Sequence, residues 1–197
     1  DREKMSKSIG NVLLVHELLK QAPGEAIRLA LLSAHYRQPL DWTDEGLDRA
    51  VKMLDRLYGA LRTLADVDAD DTAEPDPAFL QALSDDLNTP QALAALFDLA
   101  RQANTANDAA DKARIKGTLL KSAALMGLLS EDPEAWFAGS ADAVDGPDAA
   151  DIERLIQARK DARAAKDFAE ADRIRDELAA QGITLEDGAD GTKWRRG

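Results

Sequence analysis

Apolar residues recur at helical spacing along most of the chain, with proline, glycine and short polar residues punctuating the runs. Residues 12–20 are apolar-rich but lack a capping side chain. The chain restarts at Pro23, well placed as a first helical residue, and Ala26, Ile27, Ala30, Leu31 and Ala34 form a face that Pro39 ends. Thr43 can cap the next helix, whose stripe is Leu47, Val51, Leu54, Leu57, Tyr58, Leu61 and Leu64. Residues 66–77 hold six carboxylates and two prolines and read as a solvated linker. Asp76 and Pro77 open a short helix through Leu83. Thr89 before Pro90 predicts another, with Leu93, Leu96, Phe97 and Ala100 on its face. A last one from about Ala109 carries Ile115, Leu119, Leu120, Ala123, Met126 and Leu129.

Residues 130–150 break the pattern with two prolines, two glycines and several aspartates, and Trp136 and Phe137 read as anchors tacking this stretch to the bundle. Beyond it, Ile152, Leu155 and Ile156 mark a helix. Asp167 and Glu170 resemble a capping box that restarts one, with Phe168, Ala171, Ile174, Arg175 and Leu178 following and Gly182 as terminator. Residues 183–185 and 193–195 predict two short strands joined by the five-residue turn 187–191. The expectation is a mainly α chain: a helical bundle followed by a small mixed α/β domain with a helical hairpin and a short β-hairpin. The divisions are 1–22 as a connecting segment, 23–130 as bundle, 131–149 as linker and 150–197 as terminal domain.

Composition narrows the function classes. No stretch approaches the apolar length of a membrane span and the first residues form no signal peptide, so the default is a soluble, cytoplasmic protein. The chain has no cysteine, which excludes disulfides and thiolate metal sites within it, and His16 and His35 stand alone, so no metal is expected here. A formal charge of -12 argues against a surface coated for nonspecific nucleic-acid binding. Basic residues nonetheless gather at both ends. Arg154, Arg159, Lys160, Arg163, Lys166, Arg173 and Arg175 alternate with acids and read mostly as helical salt links. Lys193, Trp194, Arg195 and Arg196 are consecutive. They suit either a base-stacking, phosphate-holding RNA contact or a solubilising tail with Trp194 over the small core.

The other basic end reads Lys4-Met5-Ser6-Lys7-Ser8, followed by Ile9-Gly10-Asn11. Two lysines three positions apart can direct two ammonium groups at one polyphosphate, and the small serines add donors without bulk. This run resembles the ATP-handling loop of class I aminoacyl-tRNA synthetases. Four further segments, Ser33–Arg37, Asp85–Pro90, Lys166–Asp172 and Leu185–Asp187 with Gly191–Arg196, extend the likeness in order and spacing to the carboxy-terminal half of the bacterial cysteinyl-tRNA synthetase family, across essentially all 197 residues.

The resemblance implies an enzyme that activates cysteine with ATP and transfers it to its tRNA, with a catalytic half missing from this chain, a class I type anticodon-binding bundle and a terminal anticodon domain. It implies Lys4 and Lys7 as catalytic, Lys7 foremost toward the pyrophosphate, within an ATP loop of Lys4, Met5, Ser6, Lys7 and Ser8. Asp187, Lys193, Trp194, Arg195 and Arg196 are implied at the RNA: Asp187 accepting from a base edge, Trp194 stacking, Arg195 contacting backbone or base. ATP would be completed by the missing half, which also holds the family's zinc; neither zinc nor adenylate chemistry is expected of this chain alone. The expected partners are the cysteine tRNA and the catalytic half, in a monomer. Leu14 departs from a capping threonine common in the family, and Leu87 from a phenylalanine. Two other readings remain: a noncatalytic RNA-binding or structural helical module, and a mycothiol-pathway cysteine ligase, which shares the loop but has no anticodon module.

Overall fold

The computed structural model describes residues 12–138, 149–188 and 191–196. The chain divides into two units, one running to Pro133 and one from Glu134 onward. Among the described residues no helix is long and apolar enough to cross a membrane.

The first unit contains α1 (Val15–Leu18), α2 (Gly24–Leu32), α3 (Asp44–Thr63), α4 (Pro77–Ser84), α5 (Thr89–Thr105) and α6 (Ala109–Ala124). Leu14 precedes α1 without any side-chain cap bond, and the helix is a single turn. Pro23 stands just outside α2 as its cap rather than as its first residue. Thr43 caps α3 by accepting from the Gly46 N–H at 3.0 Å. The α3 stripe then buries Leu47, Ala50, Leu54, Leu57, Tyr58 and Leu61 against α2 and α5, while Val51 stays half-buried at the margin. Alanines at 92, 95, 100 and 103 let α5 approach its neighbours closely. Its cap is Asn88, accepting from the Gln91 N–H, so Thr89 is the first helical residue instead of the cap. Both residue types can cap, and the sequence does not choose between adjacent candidates.

The acidic stretch after α3 is not helical, as expected, but it is not a free linker either. Lysines from α6 take its carbonyls: Lys116 Nζ donates to Leu64 O and Val67 O, and Lys121 Nζ to Asp71 O. The Asp70 N–H donates to Ala113 O at 3.0 Å, and the Asp76 N–H to Ser122 Oγ at 2.9 Å. Gly117 is what permits this approach. A Cβ there would stand 2.5 Å from Asp70 O and 2.8 Å from the Ala73 side chain. Elsewhere in the bundle, buried Glu25 accepts from the Tyr58 hydroxyl at 2.8 Å and from the Leu129 N–H at 2.6 Å. It ties α2 and α3 to the segment after α6.

In the second unit a short helix, α7 (Pro133–Ala138, its first residue being the last of the first unit), occupies part of the stretch read as linker, and its Phe137 is buried. The helices α8 (Ala149–Ala164) and α9 (Phe168–Ala180) pack as the hairpin anticipated, followed by β1 (Ile183–Gly188) and β2 (Gly191–Arg196). Lys166, at φ 61°, closes α8: its N–H meets Arg163 O and the next N–H, of Asp167, meets Ala162 O. This is the bonding pattern of a Schellman cap with lysine in the glycine position. Asp167 accepts from the Glu170 N–H, but Glu170 turns to Arg173 instead of reaching back, so only half of the capping box forms. Gly182, at φ 74°, terminates α9. The strands pair antiparallel from Ile183 opposite Arg196 to Gly188 opposite Gly191. They are longer, and their connection shorter, than the five-residue turn expected. Ile152, Ile156, Ile174, Leu178 and Ile183 form the core of this unit, with Leu155, Leu185 and Trp194 packed against it.

Candidate nucleic-acid interface

The β-hairpin sorts its residues by the alternation of a strand. Ile183 and Leu185 face the helices, and Asp187 continues that row; opposite them Trp194 pairs with Leu185 and Thr192 with Asp187. Thr184, Glu186, Lys193 and Arg195 occupy the other face. The consecutive residues singled out at the end of the chain therefore do not act as one patch. Lys193 and Arg195 share the outer face, and Trp194 points the opposite way. Its indole lies half-buried on the small core and its Nε1 donates to Glu153 Oε1 at 2.8 Å.

Asp187 is the most heavily engaged group here. Arg159 grips it with two parallel bonds, Nη1 to Oδ1 and Nη2 to Oδ2, both 2.9 Å. Thr192 Oγ1 donates to Oδ1 at 2.7 Å and Arg163 Nη1 to Oδ2 at 3.2 Å. Each carboxylate oxygen thus accepts twice. The Arg159 fork, then the Thr192 hydroxyl, hold the Asp187 carboxyl well below the usual carboxylate range, and Asp187 in turn raises the Arg159 guanidinium. Arg159 is 8% exposed, whereas the Asp187 side chain remains 45% exposed. A base edge reaching Asp187 would have to displace one of these donors.

The sequence reads Arg159 and Arg163 as helical salt links, whereas the structure turns both to Asp187. A signal existed: Arg159 falls seven residues after Ile152 and three after Ile156, on the stripe that faces the core. The other arginines behave as expected, Arg154 with Asp151, Arg173 with Glu170 and Glu177, and Arg175 with Asp172 and Asp176. On the outer face, Arg195 Nε stands 3.3 Å from Glu186 Oε1 without alignment for a hydrogen bond, and Lys193 Nζ lies 3.8 Å from Glu134. The Lys193 pair is long and solvent-screened, and a phosphate could replace it, whereas Arg195 Nε is buried and only the rest of that half-buried side chain could meet one. Arg196 ends β2.

In the first unit, two segments some fifty residues apart in sequence meet. Asp86 accepts from Tyr36 Oη at 2.7 Å and from Arg37 Nε at 2.7 Å, with His35 Nε2 4.0 Å away. Arg37, then Tyr36, lower the Asp86 carboxyl. Asp86 and Leu87 both sit at positive φ, 51° and 53°, a strained pair of non-glycine residues that delivers Asp86 to this cluster and leaves Leu87 exposed. The loop lysines Lys4 and Lys7, with Met5, Ser6 and Ser8, lie outside the described residues. Among the described residues no three His, Cys, Asp or Glu side chains converge on a possible metal position, so they do not fit a zinc site.

Three families match the chain in order: the class I (C) tRNA synthetase catalytic domain over residues 1–52, the DALR domain over 78–130, and the cysteinyl-tRNA ligase anticodon binding domain over 148–195. Among its relatives, the cysteine–tRNA ligase of Parvibaculum lavamentivorans is 65% identical over 98% of this chain and 41% of its own length. The cysteine–tRNA ligases of Paramagnetospirillum magneticum and Rhodospirillum rubrum are 58% and 53% identical, over 99% and 98% of this chain and 42% of their own lengths. The chain thus spans about two fifths of these curated relatives. Across 98% of its length the chain is thus similar to part of the cysteine–tRNA ligases, with the three family matches falling in succession along it.

Proposed function

We propose that this chain is the part of a cytoplasmic, monomeric cysteine–tRNA ligase that carries the ATP loop and holds the anticodon arm of the cysteine tRNA. The observation that carries this reading is the match of residues 148–195 to an anticodon-binding domain on a unit whose outer hairpin face offers Lys193 and Arg195. The same match favours it over a mycothiol-pathway ligase and over a purely structural bundle. Lys4 and Lys7 meet the polyphosphate of ATP once the catalytic portion of the enzyme is present, with Met5, Ser6 and Ser8 shaping the loop. The chain alone makes no cysteinyl-adenylate. The zinc belongs to that catalytic portion.

At the RNA, Lys193, Arg195 and Arg196 contact backbone or base. Trp194 is half-buried against the core and bonded to Glu153, so it offers a base only its remaining exposed surface. Asp187 reaches a base only by exchanging the Thr192 or Arg163 donor, and its larger role is to fix the hairpin on α8. Titrating the chain with the cysteine tRNA, and with the same tRNA carrying an altered anticodon, tests the reading. Binding that weakens at least about tenfold on anticodon change supports it, the size of one lost base contact. Equal binding of both, or of neither, sinks it.

A further inference from the structure

Where α3 runs beside α5, the bundle surface opens into a hollow of about 200 Å³ bordered by Arg56, Gly59, Phe97, Arg101 and Asn104. That volume is below the roughly 300–1,000 Å³ of sites that enclose a small molecule, so it suits one group of a larger ligand. Its polar lining consists of donors. The guanidinium of Arg56 lies 4.9 Å from the Phe97 ring centroid and meets no carboxylate among the described residues. Arg101 pairs with Asp98, both exposed, in a solvent-screened contact within α5. Asn104 turns its Oδ1 to the Thr63 hydroxyl at 3.5 Å, which leaves its Nδ2 donors free among the described residues. No acidic side chain described in the structure lines the hollow.

Charge says what such a hollow receives. In a chain of net charge -12 this face of α3 is locally cationic, because Arg49 and Lys52, two turns and one turn before Arg56, are exposed and also lack a carboxylate partner among the described residues. Asp44, Asp48 and Asp55 fall on a separate stripe of the helix, and Glu45 stands one turn before Arg49 without bonding it. Donors without a lining carboxylate, amid unpaired cations, attract an anion. Shape agrees with charge. Gly59 stands inside α3, where glycine lowers stability, yet a Cβ there would meet nothing within 4 Å. The packing of the fold does not require this glycine, unlike Gly117, and its missing side chain leaves room for a ligand to approach.

The anion does not arrive on a strand of stacked, unpaired bases. Phe97 is half-buried with Arg56 over its ring, so no free aromatic platform is offered to a base. Guanidiniums and an amide without such a platform contact phosphates and leave sequence unread. A base-paired RNA stem presents its backbone in that way.

We propose that the α3–α5 hollow is a second RNA contact, in which Arg56, Arg101 and Asn104 hold the phosphodiester backbone of a base-paired stem of the cysteine tRNA, outside its anticodon loop. The partner rests on the RNA reading above, whereas the residues and the part of the RNA are different. Arg101 exchanges Asp98 for a phosphate oxygen. Two phosphates held in this way add about 1.8 to the salt slope of binding.

Cysteine tRNA carrying phosphorothioate linkages, cleaved with iodine in the absence and presence of the 197-residue chain, reports on each phosphate separately. Protection is expected in a base-paired stem as well as in the anticodon loop. Arg56→Gln should lift the stem protection, weaken binding about tenfold and flatten the salt slope by about 0.9, with the loop protection kept. Gly59→Glu fills the hollow and sets a carboxylate among the guanidiniums. It should lift the same protection while the chain melts no lower than wild type, because glutamate is the better helix former. Circular dichroism checks that each variant folds, and either one decides the matter if the other does not fold. The proposal is overturned if wild type protects no stem phosphate, or if stem protection survives in a folded variant. Stem protection that the variants remove, on a tRNA whose anticodon loop is unprotected, supports this contact and sinks the anticodon reading. Loop protection alone does the reverse, and protection nowhere on the tRNA overturns both.

Discussion

Asp187 shows how one side chain can change role between sequence and structure. In the sequence it is a turn aspartate near a basic tail; in the fold it is the joint between α8 and the hairpin, held by two arginines and a threonine. Because its folded carboxyl titrates below the unfolded one, the joint's contribution is fully present above the unfolded carboxylate value of about 4 and is lost as pH falls through the depressed folded value. The protection factors of the β1 and β2 amides, which divide out the intrinsic pH dependence of exchange, should therefore be high at about pH 6 and fall toward about pH 2. Asp187→Asn leaves the nearly buried Arg159 charge without its counter-ion. It should cost the unit about 1–2 kcal/mol in urea unfolding, the half-exposed carboxylate keeping the loss below that of a buried pair. Its pH-linked exchange should flatten as well; an unchanged pH profile in Asp187→Asn would assign the joint to another group.

At the scale of elements, what the sequence disclosed was whatever depends on neighbours a few residues apart. The α3 stripe, the Thr43 and Asp76 caps, the α8–α9 break and the Gly182 stop are all local patterns, and all are present. What it hid depends on residues about fifty positions away, such as the lysines of α6 on the acidic stretch and Asp86 on Tyr36 and Arg37. Arg159 lay between these cases, since its place on the apolar stripe was visible but its partner was not. Gly117 belongs to the hidden group. Mid-helix glycine reads as a weakness, yet here alanine's helical preference, about 1 kcal/mol, is opposed by a Cβ driven into Asp70 O. Gly117→Ala should thus lower the melting temperature, and a rise would show that the 66–76 segment gives way freely. Lys166 is the reverse case. It occupies a left-handed position where glycine carries no steric cost, so Lys166→Gly should stabilise the second unit by about 0.5–1 kcal/mol in denaturant unfolding.

At the scale of the whole molecule the question is how a chain of net charge -12 would meet the RNA proposed as its partner. Most arginines of the second unit are already spent on carboxylates of α8, α9 and β1. Among the side chains described in this unit, the cations that remain available are Lys160 and Lys166, exposed and without a carboxylate within reach among the described residues, together with the loosely paired Lys193 and Arg195; Arg196, proposed at the RNA, is a fifth. About five phosphate contacts follow, and single-stranded RNA releases roughly 0.7 counterion per contact, so log affinity for the cysteine tRNA should fall with log salt at a slope of about -3.5 from this unit. Lys193→Gln and Arg195→Gln should each flatten that slope by about 0.7. A slope steeper than about -6 would mean that Arg173, Arg175 and their neighbours abandon their carboxylates for the RNA. The helices would then be loosened by binding, and faster amide exchange along α9 in the complex would register it.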